Sequence, residues 1–239
     1  MASLPRGPRP GGGNAAGTRR ERQLDSAPVT STPSPDASGP RRRVVVLAGP
    51  SGAGKSRLAT RLSARHGWPT VRLDDFYRDG DDPALPMLPI GIPDWDHPDS
   101  WHAEAAVTAL ERLSTAGRVD VPTYDISSSR AKGCTTLVAD GAHVVLAEGI
   151  FAAEIVPHLQ ERGLLATAYC IRQNRWVTFW RRLVRDLAER RKPPLVLWQR
   201  GLRLCRAEPA IVRHHASLGL APRTPHEAER ELEALVRMP

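Results

Sequence analysis

Gly49, Gly54, Lys55 and Ser56 occupy the fixed places of a G-x-x-x-x-G-K-S pattern inside the run VVVLAGPSGAGKS, Val44 to Ser56. These residue types at this spacing suit a phosphate chain. Glycines let the backbone curl so that successive N–H groups point at phosphate oxygens, and a following helix turns its positive end to the same anion. Gly49, Ser51, Gly52, Ala53 and Gly54 form that cradle. Lys55 is placed to reach the terminal phosphates, and the Ser56 hydroxyl to reach a Mg²⁺. Val44 to Ala48 has the length and β-branching of a buried parallel strand, and a helical pattern from Arg57 to His66 follows, which is the context a phosphate loop requires.

A nucleoside triphosphate at this loop needs a group to receive its phosphate. Phosphoryl transfer is mostly positioning and charge neutralisation, so the partners are metal ligands, an acceptor-side carboxylate and mobile cations. Asp74 and Asp75 follow a short strand predicted over Pro69 to Leu73, and Glu148 follows one predicted over His143 to Ala147. Carboxylates at the carboxyl ends of parallel strands face the crevice in which such sheets bind ligands. Arg181, Arg182, Arg185, Arg190, Arg191 and Lys192 supply cations on a basic helix. Taken alone, Asp74-Asp75 and Glu148 read less readily as solvated turns than as functional carboxylates, whereas a basic helix is usually just a solvated face. Their joint occurrence behind a phosphate loop favours the chemical reading.

Strands and helices alternate along the rest of the chain, which predicts an α/β fold with a parallel sheet and helices on both faces. Residues 78–100 form a long loop rich in proline and aspartate, of a kind more often functional than idle. A helix is predicted over Trp101 to Ala116, and a projecting hairpin over Val119 to Tyr124 and Thr135 to Val138. Further helices are predicted over Ala152 to Arg162 and Arg175 to Arg190, then, beyond the Pro193-Pro194 break, over Leu195 to His215 and Pro225 to Arg237. Strands are predicted over Leu165 to Ile171 and at Leu218 to Ala221. The organisation expected is a disordered tail over residues 1–42 and one domain over 43–239.

The formal charge of +8 is concentrated in that tail, where residues 1–43 carry eight arginines against three acidic residues. A solvated basic leader accounts for this better than nucleic-acid binding. Cys134, Cys170 and Cys205 are odd in number and widely spaced, which suggests neither a disulfide framework nor a zinc site and points to a cytoplasmic protein. No apolar run approaches the ~20 residues needed to span a bilayer. A homo-oligomer is left open. His214 and His215 read as surface residues; Trp101, Trp176, Trp180 and Trp198 read as packing, and Trp95, beside Asp96, reads equally as packing or as a wall for the acceptor.

Five further blocks resemble, in order, those of the uridine/cytidine kinases: LDDFYRD (Leu73 to Asp79), DWDHPDSW (Asp94 to Trp101), VPTYD followed by SSSR (Val121 to Arg130), VVLAEGI (Val144 to Ile150) and RRLVRDLAERRK (Arg181 to Lys192). The resemblance spans about residues 43 to 215. It implies a P-loop NTPase-type fold with a small projecting hairpin and a basic helical lid. It also implies Mg²⁺-dependent transfer of the ATP γ-phosphate to the 5′-hydroxyl of a pyrimidine ribonucleoside. Carried over, Asp74 is the catalytic aspartate, Asp96 with Arg182 holds the ribose hydroxyls, and Tyr124 lies near the base. Glu148 joins Ser56 near Mg²⁺, while Arg185, Arg190 and Lys192 are the lid cations.

This chain departs from the family pattern at Asp75, where serine is usual, and at Arg191, where the lid commonly has glycine. Its hairpin tip, Asp125 to Arg130, is one residue shorter and lacks the histidine that bonds the pyrimidine, so its choice of base is expected to be looser or shifted. A related P-loop kinase for nicotinamide riboside, pantothenate or a sugar phosphate stays open, as does a non-catalytic nucleotide-binding regulator or RNA-binding protein. Asp96 with Arg182 favours a ribose acceptor. Retention of Lys55, Ser56, Asp74 and Glu148 argues against an inactive protein.

Overall fold

β1 (Arg43–Ala48) is the axis of the molecule. Its apolar residues, Val44 to Ala48, are at most 1% exposed, because the strand is paired on both edges and covered on both faces. β5 (Val144–Glu148) and β6 (Leu165–Ile171) flank it in parallel. With β2 (Thr70–Arg72) beyond β5 and β7 (Ala221–Arg223) beyond β6, the sheet is five-stranded and parallel, in the order β2-β5-β1-β6-β7. The computed structural model describes residues 41–188 and 194–237. The disordered tail read over 1–42 lies almost wholly outside the described residues, as do Arg190, Arg191 and Lys192 of the lid.

Parallel strands need crossovers, and those crossovers bring the helices that cover the sheet. The crossovers contain α1 (Lys55–His66), α2 (Ala103–Ala116), α3 (Val156–Glu161) and α4 (Arg175–Ala188), which packs on α5 (Pro194–Ser217), while α6 (Pro225–Arg237) follows the last strand. The path runs outward from β1 to β2 and then returns, so right-handed connections put α1 on one face and α2, α3 and α5 on the other. The ion pairs agree. Arg61 and Arg65 of α1 meet Glu229 and Glu233 of α6, the first pair at 2.7 Å. On the opposite face Arg162, at the end of α3, lies 3.7 Å from Glu111 of α2, and His214 of α5 lies 3.0 Å from Glu154. β3 (Arg118–Asp125) and β4 (Arg130–Val138) form the separate antiparallel hairpin.

Several boundaries differ from the sequence reading for local reasons. α1 begins at Lys55 rather than Arg57, since Gly54, at φ 104°, already caps it. β2 stops at Arg72, and Leu73–Phe76 form a 3₁₀ turn, so Asp74 and Asp75 sit on a tight turn instead of a strand end. α3 is reduced to Val156–Glu161, with Pro157 in its first turn. The last strand is Ala221–Arg223, because α5 runs on to Ser217 and Gly219 makes the turn that ends it. His215 is buried rather than a surface residue; burial lowers its imidazole to about 4, so it is neutral at ordinary pH.

The exit from β1 depends on Gly49. Its φ is +128°, and a Cβ there would lie 2.2 Å from the Ile171 carbonyl oxygen of β6, where only backbone could yield. Gly67, at φ +69°, ends α1 with open space around it. Gly49→Ala is therefore expected to lower the free energy of unfolding by about 2–4 kcal/mol, and Gly67→Ala by only about 1 kcal/mol. Urea denaturation followed by circular dichroism measures both; equal losses would contradict the close packing of β1 on β6.

Candidate active site

The register of the sheet assembles the site. Leu47 of β1 and Arg72 of β2 both pair with Glu148, so the end of β5 lies between the start of the phosphate loop and the start of the Asp74 turn. Lys55, in the first turn of α1, is buried and donates to the carbonyl oxygens of Gly49 at 2.8 Å and Pro50 at 3.2 Å. The Ser56 hydroxyl donates to Glu148 Oε2 at 3.1 Å. Asp74 Oδ1 accepts the Ile150 N–H at 3.1 Å. A side chain on Gly149 would meet Leu73 Cβ at 2.8 Å and Asp74 Oδ1 at 2.9 Å, so the Glu148-Gly149 pair also makes room for the turn.

Charge is crowded here. Burial raises the Glu148 carboxyl above its ordinary range, and the negative charge of Asp74 adds to the rise; Lys55, the Ser56 hydroxyl and Arg72 oppose it. A hydroxyl and a carboxylate are hard oxygen donors, and a desolvated carboxylate beside a second one favours a small divalent cation, so Ser56 and Glu148 fit Mg²⁺.

Asp75 leaves the same turn in another direction. Its Oδ1 accepts the Tyr124 N–H at 3.3 Å, and its Oδ2 lies 3.7 Å from Arg72 Nε. Tyr124 in turn donates its hydroxyl to the Arg78 carbonyl at 3.0 Å. An aromatic wall follows. Tyr77 packs edge-on against Trp95 at 5.7 Å and against Phe151 at 6.1 Å, and lies 5.8 Å from the Tyr124 ring. Burial, then the charges of Asp74 and Asp96, push the Tyr77 phenol upward. Asp96 is exposed on the long loop, where its N–H donates to Asp94 Oδ1 at 3.2 Å.

The lid residues are described only in part. Arg182 and Arg185 lie on α4, with side chains outside the described residues, and Arg190 and Lys192 lie outside altogether. Arg181, exposed on α4, donates to Gln173 Oε1 at 3.0 Å. At the hairpin tip Ser127 and Ser128 donate to the Asp125 carboxylate at 2.7 and 2.9 Å, so these hydroxyls are engaged within the tip. Tyr77 and Phe151 were not singled out from the sequence; the signal was their direct adjacency to Phe76 and to the Glu148-Gly149-Ile150 block. A cavity of about 850 Å³ between α2 and the hairpin is lined by Asp75, Asp79, Asp81, Asp82, Glu104 and Asp120. Its acidic lining disfavours phosphates, and none of the phosphate-loop residues reaches it.

No family model matches the chain. The uridine kinase of Deinococcus deserti is 31% identical over 154 residues, covering 63% of this chain and 72% of that protein. The uridine kinase of Macrococcus caseolyticus is 27% identical over 148 residues, covering 62% and 70%. The chain belongs to the uridine kinase family. It is thus a P-loop phosphotransferase, as the resemblance read from its sequence implies, and kinases of this family use ATP, generally with Mg²⁺. A solved structure from Silicibacter sp. TM1040, described as a candidate fructose transport system kinase, shares the fold. It has a TM-score of 0.53 and 21% identity, and the match covers 73% of this chain and 88% of that one. Among the described residues of this uridine kinase-family chain, no helix is long and apolar enough to cross a membrane.

Glu148 gives this site a pH signature. Because burial raises its carboxyl above the ordinary 4.5, the folded state favours the protonated form. That contribution to stability is complete below pH 4.5 and is lost as pH rises through the raised folded value. Glu148→Gln, which keeps an oxygen for Ser56 without the charge, is expected to melt higher than the wild type near neutral pH without Mg²⁺. The difference should close below about pH 4.5. Melting curves that coincide at every pH would contradict the burial of a costly charge.

Proposed function

We propose that this kinase transfers the γ-phosphoryl group of ATP to the 5′-hydroxyl of a ribonucleoside, with uridine and cytidine as its first acceptors. The observation that carries this reading is the place of Asp74: its turn begins beside Glu148 at the end of β5, its carboxylate accepts the N–H of Ile150 next to Phe151, and the same turn leads into Tyr77 of the aromatic wall. A flat base suits such a wall, and a carboxylate at its inner end suits a hydroxyl that must lose a proton.

In this reading the phosphate loop, Gly49 to Gly54, holds the triphosphate through its backbone N–H groups at the start of α1. Lys55 gives its ammonium to the terminal phosphates, a fixed charge that needs no reorganisation during transfer. Ser56 and Glu148 hold Mg²⁺, which when bound neutralises charge on the phosphoryl oxygens. Asp74 orients the acceptor hydroxyl and accepts its proton, while its bond from Ile150 keeps the carboxylate aimed. Asp96 with Arg182 holds the ribose, Tyr124 stands by the base, and Arg185, Arg190 and Lys192 bring cations over the transferring group. Three free cysteines support a cytoplasmic setting.

The hairpin tip has no histidine for the base, and its Ser127 and Ser128 hydroxyls are engaged by Asp125. A pocket without a committed donor rejects wrong bases weakly. The enzyme is therefore expected to demand ribose yet tolerate base changes. The test is kcat/KM with Mg-ATP for uridine, cytidine, their 2′-deoxy forms, a purine nucleoside, nicotinamide riboside and pantothenate. Ribonucleosides should exceed the deoxy forms by about tenfold or more, the effect of losing one polar contact to a ribose hydroxyl. Activity on pantothenate alone would overturn the nucleoside reading, and equal rates for ribose and deoxyribose would overturn the ribose contact.

A further inference from the structure

Asp75 is a half-buried carboxylate that the proposed chemistry does not use. It neighbours Asp74 on the 3₁₀ turn Leu73–Phe76, where successive side chains leave about 120° apart. The two carboxylates therefore serve different elements. Asp74 is held by the Ile150 N–H at the end of β5, whereas Asp75 is held by the Tyr124 N–H of β3.

That contact is made possible by an irregularity in the hairpin. The register of β3 against β4 slips by one residue between Pro122 and Tyr124, and a slip of this kind re-aims backbone groups. The Tyr124 N–H consequently points out of the ribbon to Asp75. Four further bonds close the same seam. The Tyr124 hydroxyl donates to the Arg78 carbonyl at 3.0 Å, the Gly80 N–H to the Ser129 carbonyl at 2.7 Å, the Ala131 N–H to Asp79 Oδ1 at 2.8 Å, and Arg130 to Asp81 Oδ2 at 2.6 Å. The approach is close enough that a Cβ on Gly80 would sit 3.0 Å from Ser129 Cβ, and Ser129 itself is held at φ 51°.

Two of these five contacts, Ala131 with Asp79 and Arg130 with Asp81, are exposed, where water competes for them. The Asp75 contact and the Tyr124 hydroxyl contact are half-buried, and of these two only that of Asp75 reaches the turn that carries Asp74. Burial raises the Asp75 carboxyl, and the Arg72 charge and the Tyr124 N–H offset that rise, so the carboxylate is partnered in its half-buried place.

We propose that Asp75 is a positioning residue. It locks the hairpin to the turn that carries Asp74, and so fixes the distance between the Tyr124 wall and the carboxylate that receives the acceptor hydroxyl. This rests on the nucleoside reading for its kinetic consequence but not for the contact itself. A hairpin free of this lock keeps its own strands paired and swings as a unit, which widens the acceptor pocket without altering the phosphate loop.

The test compares Asp75→Ala, which removes the acceptor, with Asp75→Asn, which keeps an oxygen for Tyr124. In ¹⁵N-labelled protein without substrates, the Tyr124 amide of Asp75→Ala should exchange about tenfold faster than in wild type, while the amides of the β1–β5 ladder are unchanged. With saturating Mg-ATP, KM for the nucleoside should rise about tenfold with kcat and the KM for ATP held within about twofold. Asp75→Asn should restore both values to within about threefold of wild type. Unchanged Tyr124 exchange in Asp75→Ala would overturn the lock, and so would a fall in kcat with nucleoside KM unaltered. If the wild type phosphorylates no nucleoside, the nucleoside reading falls by itself, and the Tyr124 exchange rate alone then supports or overturns the role of Asp75.

Discussion

Glu148 and Lys55 are a carboxylate and an ammonium held almost out of water at the same end of one sheet, and either charge alone would be expensive to bury there. Lys55 offsets part of the desolvation of Glu148, while Asp74 adds a second negative charge nearby. Arg72 is exposed and lies 3.7 Å from Asp75, so Glu148 and Asp74 face one buried ammonium, and the local negative excess is the electrostatic condition under which a divalent cation binds. Everything else in the fold keeps this balance in place. Leu47 and Arg72 both pair with Glu148, so β1, β5 and β2 must share one register. A slip of one residue in β5 would turn Glu148 to the opposite face of the sheet and leave Lys55 without it.

The acceptor side is built by dividing one short turn between two tasks. Asp74 and Asp75 are adjacent, yet a 3₁₀ turn sends one toward the crevice at the end of β5 and the other toward the hairpin. Tyr77, just beyond the same turn, packs against Trp95, Tyr124 and Phe151, so two loops and the hairpin meet on a single aromatic ring. Hydrophobic contact thus sets the outer wall, and a few directed hydrogen bonds set its distance from the charged floor.

The parts legible in the sequence were those whose chemistry allows few substitutes. Gly49, Gly54, Lys55 and Ser56 are demanded by phosphate geometry, and the run Val44 to Ala48 could only be a strand buried on both faces. Membership of the uridine kinase family was readable too, because six motifs in order are far less ambiguous than one. What stayed illegible was decided by contacts between residues far apart in the chain. Nothing local to Asp74-Asp75 says that the turn is 3₁₀ or that Asp75 finds Tyr124, 49 residues away. His214 and His215 looked alike, yet the helix sends one to Glu154 and buries the other. Nothing local to the hairpin tip says that Asp125 engages the Ser127 and Ser128 hydroxyls.

The most direct measurement is the turnover of Asp74→Asn with Mg-ATP and the best nucleoside acceptor. The substitution keeps the size of the side chain and an oxygen for the Ile150 N–H but removes the base. A fall in kcat of about two to four orders of magnitude is expected, with the KM for ATP nearly unchanged. A folded Asp74→Asn enzyme that turns over at the wild-type rate would contradict the assignment of the acceptor site to this turn.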